Sequence, residues 1–173
     1  MLQSPWQHEA RGAQIQYFLS HPSDDFGFNE DQWLLWRLKD AVLKGDRAGA
    51  AAARAEYLTL DGTRTEENGI PMRAPGYFLL IWYSLETGDY DCAADDLLHW
   101  FSLTDPNDVA NNNTRRTNCL TVIDSSVMFL NSPGGRNHPQ SAAIRQRCFA
   151  LASEVSSVLT ADNLAGLAGL SRG

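Results

Sequence analysis

The chain has no pairing logic among its cysteines. Cys92, Cys119 and Cys148 are three in number and widely spaced, with no CxxC or mixed Cys/His zinc pattern. All three fall at apolar-facing helical positions, so they are expected to be reduced core residues. No apolar run approaches the roughly 20 residues needed to span a bilayer, so a membrane-inserted chain is not expected. The opening MLQSPWQHEARG lacks the apolar core of a secretory signal, which leaves a cytoplasmic protein as the expectation. There is no GxGxxG, no GxxxxGK[ST] and no Gly-x-Ser-x-Gly, so neither a dinucleotide site nor a nucleophilic triad is indicated, and no cofactor is expected. Basic residues are also scarce. The net charge is −7, and residues 61–110 hold ten acids against two bases, while residues 111–173 hold three against six. A general nucleic-acid binder would carry a basic face, so direct nucleic-acid binding is not expected. A basic partner, or head-to-tail self-association, suits this distribution.

What is present is helical. The 173 residues are 43% hydrophobic and include five Trp. That is enough for one domain with a core of its own. Straight-chain and Ala residues dominate the periodic segments, which favours helix over strand. The expected fold is all-α, a repeat-like bundle of about six to seven helices built from stacked hairpins over 1–173. A first helix at 8–19 and a loop fill 1–28. Helix pairs follow at 29–62, 75–106 and 117–160, and 161–173 forms a flexible tail. Asn29 and Gln32 suit a capping box, with Phe28 and Trp33 as the flanking staple. Tyr77 to Leu85 is apolar almost all round, as in a central buried helix. Residues 117–130 fit a helix through Leu120, Ile123, Val127 and Leu130, although CLTVI alone could be a strand. Asn137 or His138 is expected to cap a last long helix, with Pro139 in its first turn. The connection 61–74 is long, polar and aperiodic, in the style of a functional loop or a solvated linker.

Two stretches align at an offset of 43 residues. WLLWRLKDAVLKGDRAGAAAARAEYLTL from Trp33 lies against GYFLLIWYSLETGDYDCAADDLLHWFSL from Gly76, each reading helix, Gly-Asp turn, helix. The second copy resembles a tetratricopeptide repeat. Gly88-Asp89-Tyr90-Asp91-x-Ala93 is similar to that family's inter-helix turn, Tyr77 and Leu80 to the aromatic and leucine of its first helix, and Asp105-Pro106-Asn107 to its terminating segment. The resemblance covers about residues 33–106. It implies stacked helix pairs and carries over no functional residues.

The sharpest polar constellation is Asp91, Asp95, Asp96 and His99. Asp95 and Asp96 lie four and three residues before His99, so helical geometry places them near one face. Such a set suits a metal or an acid–base pair, but equally the wet face of an amphipathic helix, and no second carboxylate–His motif completes a bundle metal site. No metal site and no catalytic residue is assigned. The aromatics Trp36, Tyr83 and Trp100 are expected to be partly exposed beside these acids, as in a peptide-binding groove. The Gly134-Gly135-Arg136 turn offers a lesser anion-binding reading. The expected function is a non-catalytic interaction module, an adaptor or chaperone-like protein. It would bind a partner protein or peptide through Trp36, Tyr83, Asp91, Asp95, Asp96, His99 and Trp100. The alternatives are a small acidic inhibitor of one enzyme, of the immunity or phage type, and an all-α enzyme or metal protein using Asp95, Asp96 and His99.

Overall fold

A computed structural model describes Ser20, residues 30–59 and residues 76–171. The expected helix at 8–19, the Asn29–Gln32 cap and the 61–74 connection lie outside these residues. Among the described residues the chain is all-helical, with eight α-helices, one short 3-10 turn and no strand. It divides into two compact units, Met1–Asp61 and Gly62–Gly173.

The first unit is a hairpin of α1 (Glu30–Lys44) and α2 (Arg47–Thr59). Leu34, Leu38 and Ala41 of α1 are buried, as are Ala50, Ala53 and Tyr57 of α2. The small side chains of α2 allow close helix approach. Outside, Arg37 donates to Glu56 at 2.7 Å, a half-exposed ion pair that contributes little.

The second unit begins with α3 (Tyr77–Thr87) and α4 (Tyr90–Leu103). The two Gly-Asp turns, one in each unit, are built alike. Gly45 and Gly88 have φ of 69° and 76°, the left-handed conformation that ends a helix and favours glycine. The next residue donates its N–H back to a carbonyl five residues earlier, Asp46 to Ala41 and Asp89 to Ser84, both at 2.8 Å. Each aspartate then caps the following helix, Asp46 accepting from Gly49 N–H at 2.9 Å and Asp89 from Cys92 N–H at 3.1 Å. The 43-residue offset therefore holds down to individual hydrogen bonds.

The centre of this unit is α5 (Asn113–Asn131), which settles the ambiguous 117–130 stretch as helix. It packs against α3, α4, the four-residue α6 (Pro133–Arg136), α7 (Ser141–Glu154) and α8 (Ala161–Ser171), every other helix of the unit. Its buried residues, from Asn118 and Cys119 to Phe129 and Leu130, share one broad face, with the exposed Asn113 and Thr117 opposite. Asn112 caps its start by accepting from Arg115 N–H at 3.0 Å. The preceding loop is held by Arg115, whose guanidinium meets Asp105 at 3.1 Å and the Asn107 carbonyl at 3.2 Å. Asp105 is held below its ordinary pKa chiefly by the Asn107 backbone N–H, with Arg115 adding to the effect.

Two expectations change at the C-terminal end. The last long helix starts at Ser141, after Pro139 rather than around it, because Gln140 N–H and Ser141 N–H turn back onto His138. It stops at Glu154, where a 3-10 turn, Ser156–Val158, follows. The tail expected to be loose is helix α8, with Asn163, Leu167 and Leu170 buried. Its start is a reciprocal cap: Asn163 N–H donates to Thr160 Oγ1 at 3.2 Å, and Thr160 N–H donates to Asn163 Oδ1 at 2.9 Å. Asn163 Nδ2 also donates to Asp124 of α5 at 2.6 Å. Gly166 leaves room for Val127, whose Cγ1 would lie 3.1 Å from an added Cβ. Gly166 is a close-contact point between α8 and α5.

Gly88→Ala is expected to cost about 1 kcal/mol in urea unfolding, because the space around it is open and only the left-handed backbone is penalised.

Candidate functional site

Helix α4 carries most of the residues singled out by sequence, and it sorts them onto two sides. Asp91, Asp95 and His99 are exposed, whereas Trp100 is fully buried and Asp96 is 7% exposed. The Asp95, Asp96 and His99 set is thus not a common cluster, since Asp96 turns inward. Among the described residues no group of three or more His, Cys, Asp or Glu is placed to hold a metal.

The aromatics expected at the surface are placed differently. Trp100 stacks on Tyr77, with centroids 6.2 Å apart and 25° between the rings, and its Nε1–H donates to Asn118 Oδ1 of α5 at 2.7 Å. Tyr83 is also buried, at 9% exposure. Helix α3 is covered by both α4 and α5, which takes these rings out of solvent. Trp36 belongs to the first unit, where it is half-buried with the Lys39 ammonium 4.3 Å over its ring. The surface of α4 is therefore acidic with an imidazole, without the expected aromatic component.

Asp91 and Asp95 are met by the turn before α7. His138 Nε2 lies 2.8 Å from Asp91 Oδ1, and Gln140 Nε2 donates to Asp95 Oδ1 at 3.2 Å. His138 Nδ1 accepts from Gln140 N–H at 3.2 Å, so the proton sits on Nε2 and is donated to Asp91. The His138 ring packs edge-on against Phe129, and its side chain is 8% exposed, while that of Asp91 is 94% exposed. His99 is backed by Tyr77 in an edge contact, centroids 5.5 Å apart. The sequence reading missed His138 and Gln140. They lie 47 and 45 residues from their partners, and no local pattern links them. The Gly134-Gly135-Arg136 turn is helix α6, where Gly135 N–H donates to Ser132 Oγ at 3.1 Å and so is committed within the turn.

A recess of about 330 Å³ opens between α3, α4 and the first half of α5. Phe78 of α3 and Trp100 of α4 line it. Asn113, Thr117 and Thr121, each one turn apart, line the α5 side together with Thr114 and Asn118.

Burial raises three further groups. Cys119 and Cys148 are pushed up to about 11 and about 12, mainly by desolvation. Asp124 is raised, also mainly by burial, against the lowering effect of Asn163. Compared with known proteins, the chain matches no family model, no curated protein and no solved structure. Among the described residues no helix is long and apolar enough to cross a membrane.

Asn118→Ala is expected to destabilise the protein by about 1–3 kcal/mol, because it strands the buried Trp100 N–H; chemical denaturation measures it. The two buried thiols set an alkaline limit. They keep their protons in the folded chain while the unfolded chain ionises near 9.0, so stability is present below pH 9 and falls as pH rises towards 11–12. Thermal melts between pH 8 and 11 should show the midpoint falling, and Cys148→Ala should reduce that slope.

Proposed function

We propose that the chain is a non-catalytic interaction protein that binds a basic partner protein or peptide on the exposed face of α4. The observation that carries this reading is the row Asp91, Asp95 and His99, one turn apart and facing solvent. It runs about 12 Å along a rigid helix. The row lies within the most acidic part of the sequence, where ten acids meet two bases. Both carboxylates accept a hydrogen bond from the turn at 138–140, which restricts their rotamers and lowers the entropy cost of engaging a cation. Acidic residues in such a row speed encounter with a basic partner more than they add affinity, so binding of this kind is salt-sensitive.

Asp91→Asn with Asp95→Asn separates charge from shape, since each amide keeps an oxygen for His138 and Gln140. A pull-down from host lysate, at low and at moderate salt and read by mass spectrometry, is expected to retain a partner at low salt. Recovery should fall about ten-fold or more at moderate salt or with the double variant. Capture unaffected by either change overturns the reading. A single enzyme captured one-to-one would make the protein a dedicated antagonist instead of an adaptor.

A further inference from the structure

The recess between α3, α4 and α5 differs from the acidic row in the sign of its charge. Arg116 Nη2 donates to Oδ1 of Asn113, a lining residue, at 3.0 Å, so a guanidinium rests at the edge of the recess. No carboxylate engages Arg116 among the described residues. The neighbouring Arg115 is already taken up, by Asp105 at 3.1 Å and by the Asn107 carbonyl at 3.2 Å. The described lining adds no acid that would oppose an anion. Residues 111–173 as a whole hold six bases against three acids.

A guanidinium is a planar fork of donors that fits a carboxylate through two parallel hydrogen bonds. Arg116 is half-buried, which reduces the screening of such a pair by solvent. A single cation answers a single negative charge and leaves a doubly charged phosphate half unmatched.

The hollow beside it sets the rest of the ligand. Its volume of about 330 Å³ lies at the lower end of small-molecule sites, roughly 300–1,000 Å³. Phe78, Trp100 and three threonines line it with the carboxamides of Asn113 and Asn118. Those carboxamide oxygens are engaged by Arg116 and by the Trp100 indole N–H. Phe78 is itself braced by Trp82 in an edge contact, centroids 6.1 Å apart. An apolar body gains by leaving water here, and a ring finds a partner in Phe78.

We propose that this recess binds a small monocarboxylic acid with an apolar body, of the arylacetic class. The body fills the hollow against Phe78, and the carboxylate meets the Arg116 guanidinium at the edge.

The full-length chain, labelled with ¹⁵N, is titrated with phenylacetate, phenylacetamide and acetate. The first two share a shape and differ in charge, and the third has the charge without the ring. Phenylacetate is expected to shift the Trp100 Nε1–H and the Arg116 and Thr117 amide resonances saturably, with the other two weaker by about ten-fold or more. Arg116→Gln keeps an amide donor for Asn113 and should bring phenylacetate down to the level of phenylacetamide, leaving phenylacetamide unchanged. Arg147→Gln, at an exposed position on α7, should change neither. The proposal is overturned if phenylacetate gives no saturable shift, if phenylacetamide or acetate binds as well, if Arg116→Gln leaves phenylacetate unaffected, or if Arg147→Gln weakens it equally. Binding of N-acetyl-phenylalanine about ten-fold tighter than phenylacetate also overturns it, by assigning the recess to the chain terminus of a partner protein.

Discussion

Helix α5 meets every other described helix of its unit, so although Asn113, Thr117 and Asn131 reach solvent, most of its length is packed against neighbours. Each polar residue it buries must find a partner or be small. Asn118 accepts from the Trp100 indole, and Ser126 donates to the Val122 carbonyl at 2.7 Å within its own helix. Asp124 takes the Asn163 amide. The buried Ser125 hydroxyl has no partner among the described residues, and serine is among the cheaper groups to leave in that state. The small serines also let neighbours close on that buried face. Ridges of leucine around such a helix would hold its neighbours apart.

This constraint passes to α4 through one hydrogen bond. Fixing Trp100 against Asn118 sets the rotation of α4 about its axis. With that rotation set, the residues roughly opposite, Asp91 and Asp95, come to the surface. The acidic face and the recess are therefore two consequences of one docking geometry. The turn at 138–140 adds to it from outside, since His138 sits on the Phe129 ring and donates to Asp91. One helix thus presents fixed charges to solvent on one side and lines a recess through Trp100 on another.

The local features were the legible ones. Gly45-Asp46 and Gly88-Asp89 announce both turns, because a left-handed glycine followed by a capping aspartate is a purely local device. The apolar run from Tyr77 marked a buried helix for the same reason. Helix α5 was hard to tell from a strand because its apolar residues spread round the axis and are mixed with Ser, Thr and Asn. The tail read as loose because its glycines matter only once Val127 is known to lie against Gly166. Of the candidate site, the acids Asp91 and Asp95 with His99 were legible as a wet face. The inward turn of Asp96, Trp100 and Tyr83 was not. It depends on which side of a wide apolar helix is covered, and that is decided by α5, which follows later in the chain. The tetratricopeptide resemblance rests on the same local helix-turn-helix chemistry.

Asn163 has two duties that are separable in most helices. Its backbone and side chain complete the cap with Thr160, and its amide nitrogen anchors the helix to Asp124. Here, undoing the first turn of α8 also strips a partner from a half-buried carboxylate on the central helix. Opening the first turn of α8 therefore has a cost on the central helix as well as in its own backbone.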